Sequence, residues 1–557
     1  GREAAAGHVG RGDDPDRHHT AAMSVAAPAR PPRGVFAALG RCDYPAIGVA
    51  AVILGAFISS LNTRLTTFGL ADIRGGLGIG FDEGSWIGTA FSASQMIVTP
   101  AAAWMSTVLS TRRVLLWTGM VFTVFSLLPP FIHNYDTLIA VQAIRGLAVG
   151  AFIPAALGFV LRSLAPQWWI WGIAAYSFRF VFSQNIAGAI EGWYSDSGHW
   201  PWIFWQNVVL TPVMLVLVAI AMPRRPIDRE LFLRTDWVGI VYAGFGFGLI
   251  YVAIDQGNRL DWLNSGTICG LLLGGAILVA AFLAHEWRAE YPLIHLPVVM
   301  RRNVAIPALL ISIYGFGSLA TGFVLPDYLT RIQGLRDLQI GDVLDWIALP
   351  QFVLVPLVAM LLRRVDARLM LVVGFATIAV GSWMNTGLTH DWAGGDFLPA
   401  QCVEAVGLAF AITALVTYAI ANIVPAQAAA IAATIQIARL MGAEIGSGAI
   451  QTFVRVREQT YSNLIGLHVQ SGAVDVVSAA TQLAGPFGSR PTGLGDPTVQ
   501  GLGVLGSLIQ REAYVLAYID AFWLIAWVSA AAMLLILFLS PPPPNPLTPP
   551  RIDLSGG

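Results

Sequence analysis

The sequence contains no lysine, few charged residues and only three cysteines. Charged residues make up 12% of its 557 residues, about half of their share in an ordinary soluble domain, while 56% of the residues are hydrophobic. This composition excludes a soluble globular protein and predicts a polytopic membrane protein. The net charge of −1 gives no positive surplus for a nucleic-acid partner. The cysteines are too scattered for a metal motif or a disulfide framework.

Long apolar segments follow one another along most of the chain. A membrane-spanning helix needs about 20 mostly apolar residues, so the predicted fold class is an all-α polytopic membrane protein with about 14 transmembrane helices. We predict spans at 46–69, 84–107, 113–132, 136–161, 167–193, 201–222, 236–255, 266–285, 303–326, 341–362, 367–387, 396–421, 427–452 and 515–539.

Two polar ends flank these spans. Residues 1–44 are predicted to be a disordered cytoplasmic arm, and 1–22 are set aside as disordered or as an upstream translation artefact. Nothing in 1–22 resembles a cleavable signal peptide. Residues 541–557 are predicted to be a proline-rich cytoplasmic tail that cannot continue a helix.

Arginine placement predicts the orientation, because cytoplasmic loops of membrane proteins carry the excess of basic residues. With the N-terminus inside, the short outside loops hold only Arg74, Arg259, Arg331 and Arg336. Both termini are therefore predicted to be cytoplasmic. The inside loops then hold Arg112, Arg113, Arg162, Arg224, Arg225, Arg229, Arg234, Arg288, Arg301, Arg302, Arg363, Arg364 and Arg368.

The segment between the last two spans, residues 453–514, is far longer than a usual loop. Its middle, "GPFGSRPTGLGDPTVQGLG", is polar and rich in glycine, and its flanks have helical spacing. We predict an extracytoplasmic hairpin. It is either a flexible insertion or a docking surface for another protein.

Short matches in the same order suggest an internal repeat. "AGAIEG" at 187–192 pairs with "MGAEIG" at 441–446, and "TRRVLL" at 111–116 pairs with "DARLML" at 366–371. Glycines four apart let two helices approach closely. Two copies of a six-helix unit are a common plan of secondary transporters. The predicted parts are a first half at 45–222, two inserted helices with cytoplasmic linkers at 223–302, and a second half at 303–540 that includes the hairpin.

Several motifs give the chain a resemblance to the major facilitator superfamily, and within it to the fourteen-span drug:proton antiporters of the EmrB/QacA type. The final span with its preceding segment is similar to the EmrB branch. The matching stretches are "LNTRLTTFGLADI" (61–73), "AWMSTVLSTRRVLL" (103–116), "QAIRGLAVGAFIPA" (142–155), "DQGNRLDW" (255–262), "ARLMGAEIG" (438–446) and "REAYVLAYIDAFWLIAW" (511–527).

The resemblance implies a major facilitator fold and export of small molecules in exchange for protons, without a cofactor or a metal ion. It also implies a location in a bacterial inner membrane, with a periplasmic adaptor (membrane fusion) protein and an outer-membrane channel as partners. We interpret the chain as a proton-coupled efflux transporter of hydrophobic or amphipathic compounds, with drugs and fatty or aromatic acids as candidates. A proton-coupled importer of organic acids is the alternative. A membrane enzyme is a third class, but no nucleophile–base set, phosphate loop or metal cluster supports it.

This sequence departs from the family pattern at several motif positions. Asn62 replaces the acidic residue of the first span, and Gln142 and Arg145 stand in exchanged order in the fourth. Of the charged residues of the inside-loop motif only Arg112 and Arg113 remain. These two, with Gly188, Gly192 and Arg439, are the predicted gating residues.

Arginines inside predicted spans are costly and therefore functional candidates. We predict substrate binding by Asn62, Arg64, Gln142, Arg145 and Arg179, because guanidinium groups bind carboxylates with two parallel hydrogen bonds. In the alternative interpretation these arginines pair with acids or carbonyls and hold the halves together.

Acidic residues in or near the spans are the candidates for proton coupling. Glu444 leads because it lies within a span, and a carboxyl group there can change its charge as its surroundings open and close. Glu404, Asp327 and Asp345 complete the predicted set. The alternative for Glu444 is an ion pair with Arg439, and for Asp327 and Asp345 a solvated helix end.

Overall fold

The computed structural model describes residues 44–289, 292–294, 296–421, 428–467, 469, 476–479, 481–483 and 497–540. The regular elements in these ranges are helices, which confirms the all-α class. The predicted N-terminal arm up to residue 43, most of the centre of the hairpin and the proline-rich tail lie outside the described residues.

Among the described residues, fourteen long helices coincide with the positions of the predicted spans, and α4, α9 and α10 each consist of two or more consecutive segments. Short helices lie between some of them, at Leu70–Leu77, Arg229–Leu233 and Leu296–Val299. The long helices are α1 Pro45–Phe68, α2 Phe81–Val108, α3 Thr111–Leu127, α4 Tyr135–Ser163, α5 Trp169–Asp196, α6 Trp202–Ala221, α7 Trp237–Gly257, α8 Gly266–Glu286, α9 Arg302–Arg331, α10 Asp337–Leu361, α11 Ala367–Met384, α12 Leu398–Ala421, α13 Ala428–Gly466 and α14 Pro497–Ile536.

Eleven helices of the described chain are long and apolar enough to cross a membrane. The other three, α2, α5 and α13, have sufficient length, but their sequences mix serine, threonine, glutamine, arginine or glutamate among the apolar residues. The count of fourteen spans therefore stays a prediction, while the polytopic membrane character is confirmed.

The same three helices join the two predicted halves. Helix α5 packs along α10, and α2 packs along α13. The inserted helix α7 packs against both α2 and α13, and α8 lies on its other side. The most polar helices therefore lie where side chains of both halves meet, and this placement positions the charged groups described below.

Helix α9 is interrupted by a π-helical segment at Ala320–Val324. Such a segment disturbs the regular pairing of backbone groups and is frequent at functional sites. It includes Gly322, whose carbonyl oxygen accepts a hydrogen bond from a side chain of the first half. This hydrogen bond between the halves therefore depends on an irregular part of helix α9.

The base of the predicted hairpin is formed by two helices that extend beyond the predicted spans. Helix α13 continues to Gly466, and α14 begins at Pro497. Arg457 on α13 donates to Asp520 on α14 at 2.6 Å, and Tyr461 donates to the same carboxylate at 2.8 Å. The described part of the hairpin therefore has the helical flanks that the sequence predicts.

The loop between α7 and α8 also contacts this base. The Trp262 indole donates to Thr452 at 2.8 Å, and Arg455 pairs with Asp261 at 3.3 Å. The hydrogen bond from Asn264, together with Arg455, holds the pKa of the Asp261 carboxyl group below its usual value. The stretch "DQGNRLDW" thus fixes the inserted helices to α13.

Candidate functional site

A buried polar network surrounds Arg145 inside the first half. Its Nε donates to Ser126 at 3.1 Å, its Nη2 donates to Asn62 at 2.7 Å, and its Nη1 donates to Gln142. Asn207 on α6 donates to the same Asn62 oxygen at 2.8 Å. The structure therefore brings together three predicted substrate residues, from α1 and α4.

The Arg145 network contains amides, a hydroxyl group and aromatic faces, and the three hydrogen bonds that the guanidinium donates to these groups reach no carboxylate. The guanidinium carbon lies 4.9 Å from the ring centre of Phe204, 5.3 Å from Phe122 and 5.7 Å from Phe91. Such rings stabilise a cation through their negative faces. All three guanidinium nitrogens of Arg145 already donate to side chains of the first half, which leaves fewer N–H groups for a ligand.

Arg64 faces the other way. It follows Asn62 by two residues, which is a rotation of about 200° around helix α1. Its Nη2 donates to the carbonyl oxygen of Gly322 in α9 at 2.8 Å, and its guanidinium lies 5.2 Å from the ring centre of Phe68. Arg64 therefore bridges the halves. The predicted shared site with Arg145 stays a prediction, and this geometry places the two guanidinium groups on opposite sides of α1.

Arg179 and Arg439 come from opposite halves and approach the same aromatic ring. The Arg439 guanidinium lies 5.0 Å and the Arg179 guanidinium 5.8 Å from the ring centre of Phe180. Both side chains are buried. Arg179 is a predicted substrate residue and Arg439 a predicted gating residue, and the structure brings them together.

Glu444 on α13 has a carboxyl partner that the sequence analysis did not identify. Its carboxyl group is close enough to Asp255 and Tyr251, both on the inserted helix α7, for their charges to act on one another. Thr89 on α2 donates to Asp255, and Gln256 donates to it at 3.2 Å. The predicted alternative, an ion pair between Glu444 and Arg439, does not occur among the described contacts, since Arg439 donates to Gln436 instead.

The other predicted proton carriers have separate surroundings. Glu404 is buried and accepts a hydrogen bond from Ser382 at 3.1 Å, within the contact between α11 and α12. Asp327 pairs with Arg331 at 2.8 Å and accepts from Tyr518 at 2.6 Å, so it is a held side chain rather than a solvated helix end. Asp345 is partly buried on α10. These acids do not join the Glu444 pair in the described contacts.

The predicted gating glycines lie where α5 meets α10. A Cβ atom at Gly192 would come within 2.2 Å of the Leu338 nitrogen, and one at Gly188 within 3.3 Å of the Gly341 Cα. Glu191 between them is fully buried beside Asp72 and Asp337. Only glycine permits this close contact between the halves.

The remaining gating candidates, Arg112 and Arg113, lie at the start of α3, just after the short loop that follows α2. Arg112 donates to the carbonyl oxygen of Met222 at the end of α6, while Arg113 is exposed. Ser110, which replaces the family's glycine, has φ of 77°. This left-handed backbone favours glycine, and a non-glycine residue there stores strain of roughly 1–3 kcal/mol.

Asp255 and Asp337 are the residues that sequence reasoning missed. Asp255 begins the quoted stretch "DQGNRLDW", so its motif was visible, but its contact with Glu444 joins distant parts of the chain. No group of three or more histidine, cysteine, aspartate or glutamate side chains among the described residues has an arrangement that could hold a metal ion.

Comparison with known proteins agrees with this architecture. The sequence profile of the Major Facilitator Superfamily matches residues 52–447. The fatty acid resistance protein FarB of Neisseria gonorrhoeae is 22% identical, over 86% of this chain and 94% of its own length. The multidrug export protein EmrB of Escherichia coli K12 is 23% identical, over 86% and 92%.

Among solved structures, the human organic anion transporter MFSD10 is similar with a TM-score of 0.51. The match covers 87% of this chain and 99% of that protein at 12% sequence identity. At this identity the likeness shows the fold alone.

Proposed function

Because the chain belongs to the Major Facilitator Superfamily, and is thus a transporter rather than an enzyme, we propose that it exports hydrophobic and amphipathic compounds in exchange for protons. The relatives FarB and EmrB, named for fatty acid resistance and multidrug export, support the direction and the substrate class. They favour export over the import of organic acids.

The contact of Glu444 with Asp255 is the observation that carries proton exchange. The pair joins α13 of the second half to the inserted helix α7, and Thr89 adds α2 of the first half. Two carboxylates repel each other when both are charged, and one shared proton removes that repulsion. Proton binding and release here therefore act on the contact between the halves.

Transport into inverted membrane vesicles tests this function. An exporter should accumulate substrate inside such vesicles when a proton gradient is imposed and should lose this accumulation when an ionophore collapses the gradient. A panel of matched acids, amides and amines defines the substrate range. Accumulation only in right-side-out vesicles would instead establish an importer.

We also propose that both termini are cytoplasmic and that the hairpin at 453–514 docks a periplasmic adaptor protein, which in turn reaches an outer-membrane channel. The arginine distribution supports the orientation. The Arg457–Asp520–Tyr461 contact supports docking over a flexible insertion, because it holds the two helical arms together at their base.

Deletion of residues 470–505 should abolish resistance in intact cells and leave export into inverted vesicles unchanged, because vesicle transport needs no path across the outer membrane. Cell survival and vesicle uptake are compared for the same variant. Full resistance of the deletion strain would exclude the docking role.

Cysteine labelling tests the orientation separately. A cysteine at position 475 should react with an impermeant reagent from the periplasm, and one at position 227 should not.

A further inference from the structure

Arg179 and Arg439 form a pair of like charges with no described acidic partner. The groups that act on the Arg439 charge are Arg179 and the side chains Tyr176, Tyr314 and Tyr251. The Tyr176 side chain acts on the charge of Arg179, and its ring centre lies 4.4 Å from the Arg179 guanidinium. Buried charges are normally paired with opposite charges, so this arrangement calls for an anion from elsewhere.

The hydrogen bonds of Arg179 are also incomplete. Its Nη1 donates to Ser60 on α1 at 2.6 Å, but Nε and Nη2 are buried and have no hydrogen-bond partner among the described residues. The side chain is 1% exposed, so bulk water does not satisfy these donors. A buried donor without a partner is destabilising. Nε and Nη2 are the donors with which a guanidinium group grips one carboxylate in a bidentate manner.

We propose that Arg179 and Arg439 together bind the carboxylate of an amphiphilic monoanion between the two halves of the transporter. This inference rests on the proposed export function and names its substrate class. One arginine from each half contributes, since α5 carries Arg179 and α13 carries Arg439. A bound carboxylate neutralises the repulsion of the two guanidinium groups and draws the halves together.

The surroundings favour a ligand with an apolar tail. Phe180 and Tyr314 pack against each other beside the arginines, with ring centres 5.9 Å apart. On the other side of Arg179 around α5, Phe178 and Phe182 stack at 5.1 Å and both contact Phe352 of α10. Phe352 is 58% exposed on the surface of α10. A small inorganic anion would use the arginines but not these rings.

Arg145 is a buried arginine of the same protein whose charge is stabilised by groups of the protein itself. Three of its nitrogens donate to side chains, and three phenylalanine rings cover it. By contrast, Arg179 donates through Nη1 to Ser60, and Arg439 donates through Nε to Gln436 at 3.0 Å. This contrast places the anion site at Arg179 and Arg439.

Binding of decanoate and of decanamide to the purified full-length protein tests the proposal. The two probes share the tail and differ in charge. Arg179→Gln and Arg439→Gln should each weaken decanoate binding about 10- to 150-fold, which is the range expected for one charge-assisted hydrogen bond, and should change decanamide binding little. Arg179→Lys and Arg439→Lys keep the charge and should restore part of the preference for the acid. The exposed Arg301→Gln is the matched control and should behave as the wild type.

The possible outcomes distinguish a failure of the anion-site proposal from a failure of the proposed export function. Equal losses for acid and amide in the folded Gln variants would overturn the anion site, even if vesicle export persists. A loss of acid preference with no export of decanoate would keep the site and reject its place in transport. Competition of decanoate by chloride or phosphate at similar affinity would identify an inorganic anion site and also overturn the proposal. Loss of acid preference in Arg64→Gln alone would move the site to Arg64.

Discussion

Glu444→Gln is expected to abolish proton-driven export while substrate binding is retained. Glutamine keeps the length of the side chain and its polarity, but it cannot take up or release a proton. Accumulation in inverted vesicles under an imposed proton gradient should therefore fall to the level seen with an ionophore. Binding in detergent and exchange of substrate without a gradient should stay near those of the wild type.

Two further variants make the Glu444 result specific. Asp255→Asn removes the other member of the pair and should impair gradient-driven export in the same way, because the charges of Asp255 and Glu444 act on each other. Glu404→Gln also removes a buried carboxyl group, but one held by Ser382 inside the second half. It should retain gradient-driven export. The reverse pattern, in which Glu444→Gln is active and Glu404→Gln is inactive, would transfer the proton site to Glu404.

Gly341→Ala is expected to slow transport by weakening the contact of α5 with α10. Its Cβ atom would lie 2.3 Å from the backbone nitrogen of Ala189, where no flexible side chain can move aside. Overpacking of this kind costs roughly 1–3 kcal/mol, which corresponds to about a 5- to 150-fold smaller population with α5 and α10 in contact. Gly192→Ala should act similarly, because its Cβ would meet the backbone of Leu338.

The distance between labels on α5 and α10 measures this effect directly. Labels at the exposed positions Trp193 and Arg336, in a background without the native cysteines, should be farther apart in Gly341→Ala than in the same background with Gly341 retained. Gly270→Ala on α8 is the matched control, since no atom lies within 4 Å of the added Cβ. An unchanged label distance together with normal transport would show that the glycine contact is dispensable.

Much of the helical architecture was predictable because each span can be recognised from the length of its own apolar segment. The predicted span 84–107 corresponds to Phe81–Val108, and the span 201–222 corresponds to Trp202–Ala221. The end of α13 was less predictable. Its apolar run ends near residue 452, but the helix continues to Gly466, and a hydropathy pattern gives no signal for that polar part of the helix.

The charged groups can be found one at a time in the sequence, but their partners cannot. Glu444 is a visible candidate, while Asp255 is only part of a motif, since nothing local indicates that α7 lies against α13. Arg64 and Arg145 are expected to cooperate because both are arginines in the first half. The rotation of α1 between Asn62 and Arg64 directs one toward the first half and the other toward α9. The direction in which each side chain points is fixed by tertiary packing, and a hydropathy pattern contains no information on that packing.

The polarity of α2, α5 and α13 has a consequence for biogenesis. The translocon partitions each segment into lipid according to its own hydrophobicity, and polar residues near the middle of a segment make that step less favourable. Helix α5 carries Arg179 and Glu191, and its close neighbour α10 is synthesised only after the inserted helices. Until α10 emerges from the ribosome, the face of α5 with Gly188, Glu191 and Gly192 lacks its partner helix. A chain truncated after α8 therefore leaves this face of α5 uncovered, whereas the complete chain covers it with α10.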